Sequence, residues 1–368
     1  MSTNVTLAES TARLEEGAQN LLQGCLQIKG GERLLLISED ASLDHFAPEV
    51  ADIVEAEAQK LGAQVFILKT PRVKGPEDFP KVIVGAMENA DHTVFFSRIG
   101  DQLRFDALPG DGTKTMTYIL DREYLASDFA RLPHALMLEV RQKIHEVLDG
   151  GVAWRVTCPA GSDLSGYEPP RQPQSKGKKD FSLRLFPVTI FRPIAASSMQ
   201  GKIVLSRWIT STDTHLHDPD VVRLDIPVTA QVADGRIRDF QGPASAVAKV
   251  RDYYDMVSRE LGLDPEIVHS WHAGIHPKTF YNRRAADHPS RWGSVAYASP
   301  RHAHFHTCGD YAPGEIAWTL IDPTITFNGE IFWEAGRFTF LDRPDLQALL
   351  SKYPGWENAF EVRQDLGL

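Results

Sequence analysis

Cysteine is scarce. The 368-residue chain holds three, Cys25, Cys158 and Cys308, far apart and without a CxxC spacing. A disulfide framework and a thiolate zinc site are thereby excluded. Positive charge is in deficit: 39 Lys and Arg stand against 49 Asp and Glu, a net charge of −10. A field of that sign repels phosphates, so nucleic acid is not an expected partner. No apolar run approaches the roughly 18–20 residues that cross a bilayer. The opening stretch MSTNVTLAESTARLEEGAQN carries acids where a secretory leader carries a basic and then an apolar segment. The expectation is a cytoplasmic protein that binds neither membrane nor nucleic acid. Two glycine motifs are missing as well. The turn after the first apolar strand reads Ser38-Glu39-Asp40-Ala41, without the GxGxxG that seats a dinucleotide pyrophosphate. No GxSxG elbow is present to raise a nucleophilic serine.

Hydrophobic periodicity supplies the organisation. Apolar positions at helical spacing predict helices over 8–28, 46–61, 80–89 and 130–148. Between them lie short apolar runs at 33–38, 64–68, 93–97 and 115–120, read as strands. Such alternation is the mark of a parallel sheet covered on both faces. The pattern changes near residue 150. Residues 166–179 (GYEPPRQPQSKGKK) read as a loop, a candidate lid. Beyond it, β-branched and aromatic runs recur at 186–191, 202–210, 221–232, 295–298, 302–307, 316–321 and 330–340, with one clear helix at 244–261. The expected fold is an α/β first domain over 1–150, a parallel sheet flanked by helices. An α+β second domain over 151–368, with a largely antiparallel sheet, follows it. A chain of this length exceeds one ordinary core.

Histidine is what the chain has in quantity, 13 in all. In Arg301-His302-Ala303-His304-Phe305-His306-Thr307-Cys308 three histidines alternate. On a strand, alternate side chains share a face, so the three imidazoles project together and form a candidate metal site. The bland alternative is a strand whose histidines only hydrogen-bond. Ser270-Trp271-His272-Ala273-Gly274-Ile275-His276-Pro277 reads as a loop at a strand end that presents His272 and His276, or else as a tight structural turn. Thr214-His215-Leu216-His217-Asp218 is a third candidate, with a solvated turn as its default. Cys158-Pro159-Ala160-Gly161-Ser162-Asp163 could aim Ser162 and Asp163 into a cleft. Cys308 beside His306 is a poor thiol nucleophile, because sequence adjacency does not make a dyad.

These motifs, in this order, resemble the M29 metallopeptidases of the aminopeptidase T type. They are more similar still to that family's relatives, the iron-dependent 2,5-dihydroxypyridine 5,6-dioxygenases. The resemblance spans most of the chain at low identity. It rests on the α/β first half, Ala160-Gly161-Ser162-Asp163, the loop from His272 to Pro277, the run ending Phe305-His306-Thr307-Cys308-Gly309, and Ile316-Ala317-Trp318-Thr319-Leu320. Carried over by position, His272 falls where the peptidases place a metal-binding glutamate and the dioxygenases an iron-binding histidine. His304 falls near a metal-binding histidine of the peptidases. His306 falls near a serine lining the dioxygenase substrate pocket, with a one-residue offset from the extra Cys308. Both relatives carry an HxD pair where this chain has Ala317 and Thr319. The FPVTIF run at 186–191 also lacks the peptidases' early glutamate. A two-metal clamp needs several bridging carboxylates, so a working M29 peptidase is not expected.

The expectation is therefore a mononuclear non-haem Fe(II) dioxygenase that opens a hydroxylated aromatic or N-heteroaromatic small molecule in aromatic catabolism. His272, His304 and His306 are its metal ligands and His276 its proton-transfer or supporting group. Ser162 and Asp163 are further catalytic candidates, and Arg104 and Tyr297 are candidate substrate contacts. The alternatives are a Zn- or Mn-dependent hydrolase on the same histidines, and a non-catalytic scaffold that binds a small molecule. The resemblance also implies a homo-oligomer, a dimer or larger.

Overall fold

The computed structural model describes residues 7–171 and 182–368. The chain divides into two compact units, residues 1–138 with 181–188 and residues 139–180 with 189–368. This division falls inside the helix His134–Asp149 rather than after it, and returns a later strand to the first unit. Most of the expected lid segment, residues 172–179, lies outside the described residues. Its beginning is not loop but part of the strand Asp163–Glu168.

In the first unit five strands form one sheet in the order Gln64–Thr70, Arg33–Glu39, His92–Phe96, Thr113–Thr117, Arg184–Phe186. Every pairing is parallel. All five residues of His92–Phe96 are buried, as a strand covered on both faces requires. The expected strand over 186–191 is shorter and earlier than its apolar run. Pro187 has no N–H to donate to a ladder, and regular pairing stops at Phe186. The helix expected over 8–28 is Leu7–Gln19 continued by a wider π turn, Asn20–Leu26, which ends on Gln27 in the left-handed conformation.

The second unit contains two antiparallel sheets. One runs Val221–Arg223, Trp208–Ser211, Ile316–Ile321, His302–Thr307, Val268–Ala273, Ile194–Ala195. The other runs Arg236–Gln241, Val228–Ala233, Gln200–Leu205, Asp163–Glu168, Val152–Thr157, Thr324–Phe327, Glu330–Trp333. The helix Ala244–Leu261 forms as its periodicity predicts. The strand expected over 295–298 does not form, because Val295 and Ala296 close the helix Pro289–Ala296. His288 caps that helix by accepting the Arg291 amide at 3.3 Å, and Pro289 suits its first turn.

Alternation gives the histidine-bearing sheet two different faces. Trp271, Phe305 and Trp318 are paired neighbours on adjacent strands and are fully buried. Trp271 stacks on Phe305 with ring centroids 5.8 Å apart, and meets Trp154 at 5.0 Å and Phe327 at 6.4 Å, both from the other sheet. This aromatic layer joins the two sheets and anchors the strands whose opposite face carries the histidines. Trp271→Ala is expected to destabilise the protein by about 3–5 kcal/mol. The measurement is the urea midpoint, and an unchanged midpoint would remove Trp271 from the core.

Candidate metal centre

Three histidines of the strand His302–Thr307 share one face, and the register decides what they meet. On one side His304 lies opposite Thr319 and His306 opposite Ala317. On the other side His304 lies opposite His272 and His306 opposite Ser270. His272 is therefore a strand residue rather than part of the loop its glycine and proline suggest; the strand Val268–Ala273 ends just before Gly274.

A β-bulge makes this pairing possible. Val268 pairs with Thr307, but Ser270 pairs with His306, so His269 is an extra residue. A strand without it would continue from Val268 with His272 opposite Ala303, on the aromatic face. One inserted residue moves all later side chains to the other face. His272 then stands with His304 and His306, their ring centroids 5.2, 5.2 and 4.7 Å apart. One ring nitrogen from each lies within 4.8 Å of the others, with His272 and His306 buried and His304 half-buried. Among the described residues this is the only group of three or more His, Cys, Asp or Glu that meets so closely. Three neutral nitrogens on rigid strands fit a divalent transition metal and leave coordination positions open.

His302, on the same face, sits 5.5 Å from His304 and shares a hydrogen bond of 3.1 Å with the Thr319 hydroxyl. Burial and the neighbouring His304 hold its pKa well below the usual histidine range, so it is a neutral wall of the site. Tyr297 lies beside the cluster, its ring 6.0 Å from His272 and 6.4 Å from His304, and its hydroxyl bonds Thr189 at 3.2 Å.

Other residues singled out in the sequence have surroundings of their own. His276 is fully buried past the end of its strand, its amide bonded to Ala298. Burial and Lys278 push its pKa down to about 3, so it stays a neutral imidazole at pH 7. Ser162 accepts the Val204 amide at 2.8 Å, and Asp163 forms a two-pronged pair with Arg155 at 2.8 and 2.7 Å. Asp163 opens a strand of the seven-stranded sheet, not of the sheet that bears the histidines. Arg104 belongs to the first unit and is buried there, 3.3 Å from the Asp101 carboxylate. Cys308 is wholly buried, and burial raises its thiol to about 12, leaving no thiolate for nucleophilic attack. At the end of the first strand, where a dinucleotide motif would place glycines, Glu39 pairs with Arg98 at 3.0 Å.

The sequence reading also missed Glu315. His215 and His217 do not form a solvated turn; they grip this fully buried carboxylate, at 2.9 Å through His215 Nδ1 and 3.1 Å through His217 Nε2. Tyr311 donates to the same carboxylate. Glu315 precedes the strand Ile316–Ile321, and its amide bonds Thr307. An isolated acid next to an apolar run carries no local signal that two histidines about a hundred residues earlier will reach it.

The class defined here is an α/β unit joined to an antiparallel unit that carries a three-histidine cluster on its strands. Two solved structures share this fold. The 2,5-dihydroxypyridine dioxygenase of Pseudomonas putida KT2440 aligns over 89% of this chain and 96% of its own, with a TM-score of 0.59 and 16% identity. AmpT of Thermus thermophilus aligns over 89% of this chain and 99% of its own, with a TM-score of 0.51 and 12% identity. No family model and no curated protein matches the sequence. No helix among the described residues is long and apolar enough to cross a membrane.

Burial alone would raise the Glu315 pKa, but the hydrogen bonds from His215, His217 and Tyr311 outweigh it and hold the carboxyl below the usual range. A depressed folded-state pKa stabilises fully above about pH 4.5, and that contribution is lost as pH falls through the folded value. Glu315→Gln is expected to cost about 1.5–3 kcal/mol near neutral pH. Its stability should also change less on acidification than that of the wild type. Urea unfolding from pH 3 to 7 is the check, and parallel curves would contradict this account.

Proposed function

We propose that the chain is a mononuclear non-haem iron dioxygenase acting on a hydroxylated aromatic or N-heteroaromatic small molecule. The observation that carries this reading is the convergence of His272, His304 and His306 from adjacent strands. The fold shared with a 2,5-dihydroxypyridine dioxygenase supports the same class. His272, His304 and His306 would hold the iron(II), which would supply coordination positions for adjacent substrate oxygens and for dioxygen.

The protein's part is positioning and charge. His304 and His306 occupy the middle of a strand bonded on both sides, which limits their movement. All three ligands are neutral in the bound form, so no protein carboxylate among them offsets a divalent ion. An anionic, bidentate substrate supplies that compensation, as a deprotonated hydroxyl beside a second oxygen does. Ala317, opposite His306, adds no further ligand and little bulk on that side. The Tyr297 ring beside His272 and His304 offers a flat apolar surface for an aromatic substrate.

A metal-dependent hydrolase is the second reading. Its support is equal at the level of fold, since AmpT aligns along nearly its whole length, and three nitrogens with an open position also suit zinc. The functional unit is proposed to be a homo-oligomer with a small-molecule substrate.

Metal analysis of protein purified without oxygen, with oxygen uptake on hydroxylated pyridines and benzenes, separates the readings. The expected result is about one iron per chain and uptake that stops in His304→Ala, which should retain no stoichiometric metal. Zinc or manganese with anaerobic amide cleavage would replace the oxygenase by the hydrolase. The absence of any stoichiometric metal from the wild type would leave a binding scaffold.

A further inference from the structure

We propose that Ser270 and His269 are positioning residues that hold His306 with its proton on Nδ1 and so present Nε2 to the metal. This rests on the reading of the three histidines as ligands. Ser270 is buried and lies directly across from His306. Its Oγ is 3.1 Å from His306 Nδ1 and 3.0 Å from His269 Nδ1. One serine oxygen therefore bridges two imidazoles. It could accept from both rings, but its own buried proton would then have neither ring nitrogen to bond, so one assignment both serves a metal and uses that proton.

The assignment follows from counting donors. A neutral imidazole that ligates through Nε2 carries its proton on Nδ1. His306 Nδ1–H then donates to Ser270 Oγ, and the single serine proton is left to donate to His269 Nδ1. His269 must in turn carry its proton on Nε2. If the serine instead donated to His306, the His306 proton would sit on Nε2 and point at the ion. The neutral ring would then be unable to ligate without breaking the bond to Ser270. His269 thus does more than lengthen the strand: as an acceptor it draws the serine proton away from His306.

The backbone supports this arrangement. His269 is the extra residue of the bulge, a position that can re-aim a side chain out of strict alternation. The bulge is held from its other edge, where the His269 carbonyl accepts the Ala196 amide at 3.0 Å and Ser270 pairs with Ala195. The residue that turns His272 onto the metal face therefore also sets the tautomer of His306. Partners of this kind commonly change metal affinity 10–100-fold when removed.

Cobalt(II) is the probe, added anaerobically to wild type, Ser270→Ala, Ser270→Thr and His269→Ala. Absorption titration reads affinity, and proton NMR of the cobalt protein reads the shifted imidazole N–H signals. Wild type and Ser270→Thr are expected to bind one cobalt and to show a slowly exchanging N–H from His306. Ser270→Ala should bind about 10–100-fold more weakly and lose that signal to solvent exchange. His269→Ala should fall between them. Equal affinity and an intact signal in Ser270→Ala would overturn the proposal. Should wild type bind no cobalt, the metal reading itself fails. The tautomer is then read separately, from the imidazole nitrogen shifts of metal-free wild type, which needs no variant to fold. A His306 proton on Nε2 there would overturn the assignment whatever the metal result.

Discussion

Between Val268 and Ser270 one strand advances two residues while its partner advances one, and the facing of every later side chain on that strand follows from this step. Strand periodicity is two, so a one-residue offset moves a whole set of side chains from one face to the other. Trp271 is thereby committed to the aromatic layer against Trp154 and Phe327, and His272 to the side of His304 and His306. Aromatic packing and the clustering of the histidines are two consequences of the same backbone event. The large apolar rings fix the sheet from behind, which lets the opposite face hold three polar rings with little freedom to rearrange.

The cluster so formed contains no carboxylate. Where the resemblance marks an HxD pair on the strand Ile316–Ile321, this chain has Ala317 and Thr319, and the histidines opposite them are His306 and His304. Thr319 is not idle, since its hydroxyl bonds His302. The result is a wall of imidazoles, with the buried carboxylate of Glu315 hydrogen-bonded by its own pair of histidines and a tyrosine.

Much of the fold was legible because it depends on local pattern. The first unit's strands and the helices Glu49–Lys60 and Ala244–Leu261 follow apolar spacing closely. The strand His302–Thr307 begins and ends where alternation places it. Local pattern misled where local chemistry and long-range pairing disagree. Ser270 to Pro277 carries a glycine and a proline and reads locally as a loop, yet Val268–Ala273 is a strand inside the sheet, because pairing on both edges satisfies its backbone. Val295 and Ala296 have strand propensity but complete a helix begun by the cap His288 and Pro289. Ser162 and Asp163 belong to a turn and an ion pair of their own sheet, a placement that residue type alone does not reveal.

By itself the sequence determined that His302, His304 and His306 share a face, since alternation is a property of any strand. It also determined that the first half alternates strand and helix, since those periods are written in consecutive residues. Only the tertiary structure decided that His272 joins them, that Ser270 and His269 stand behind His306, and that His215 and His217 serve Glu315. The first two depend on the register between strands distant in the chain, and the third on a connection between strands meeting the start of another strand. Register is set by the packing of whole faces and by a single extra residue in a bulge, and neither has a local periodic signature.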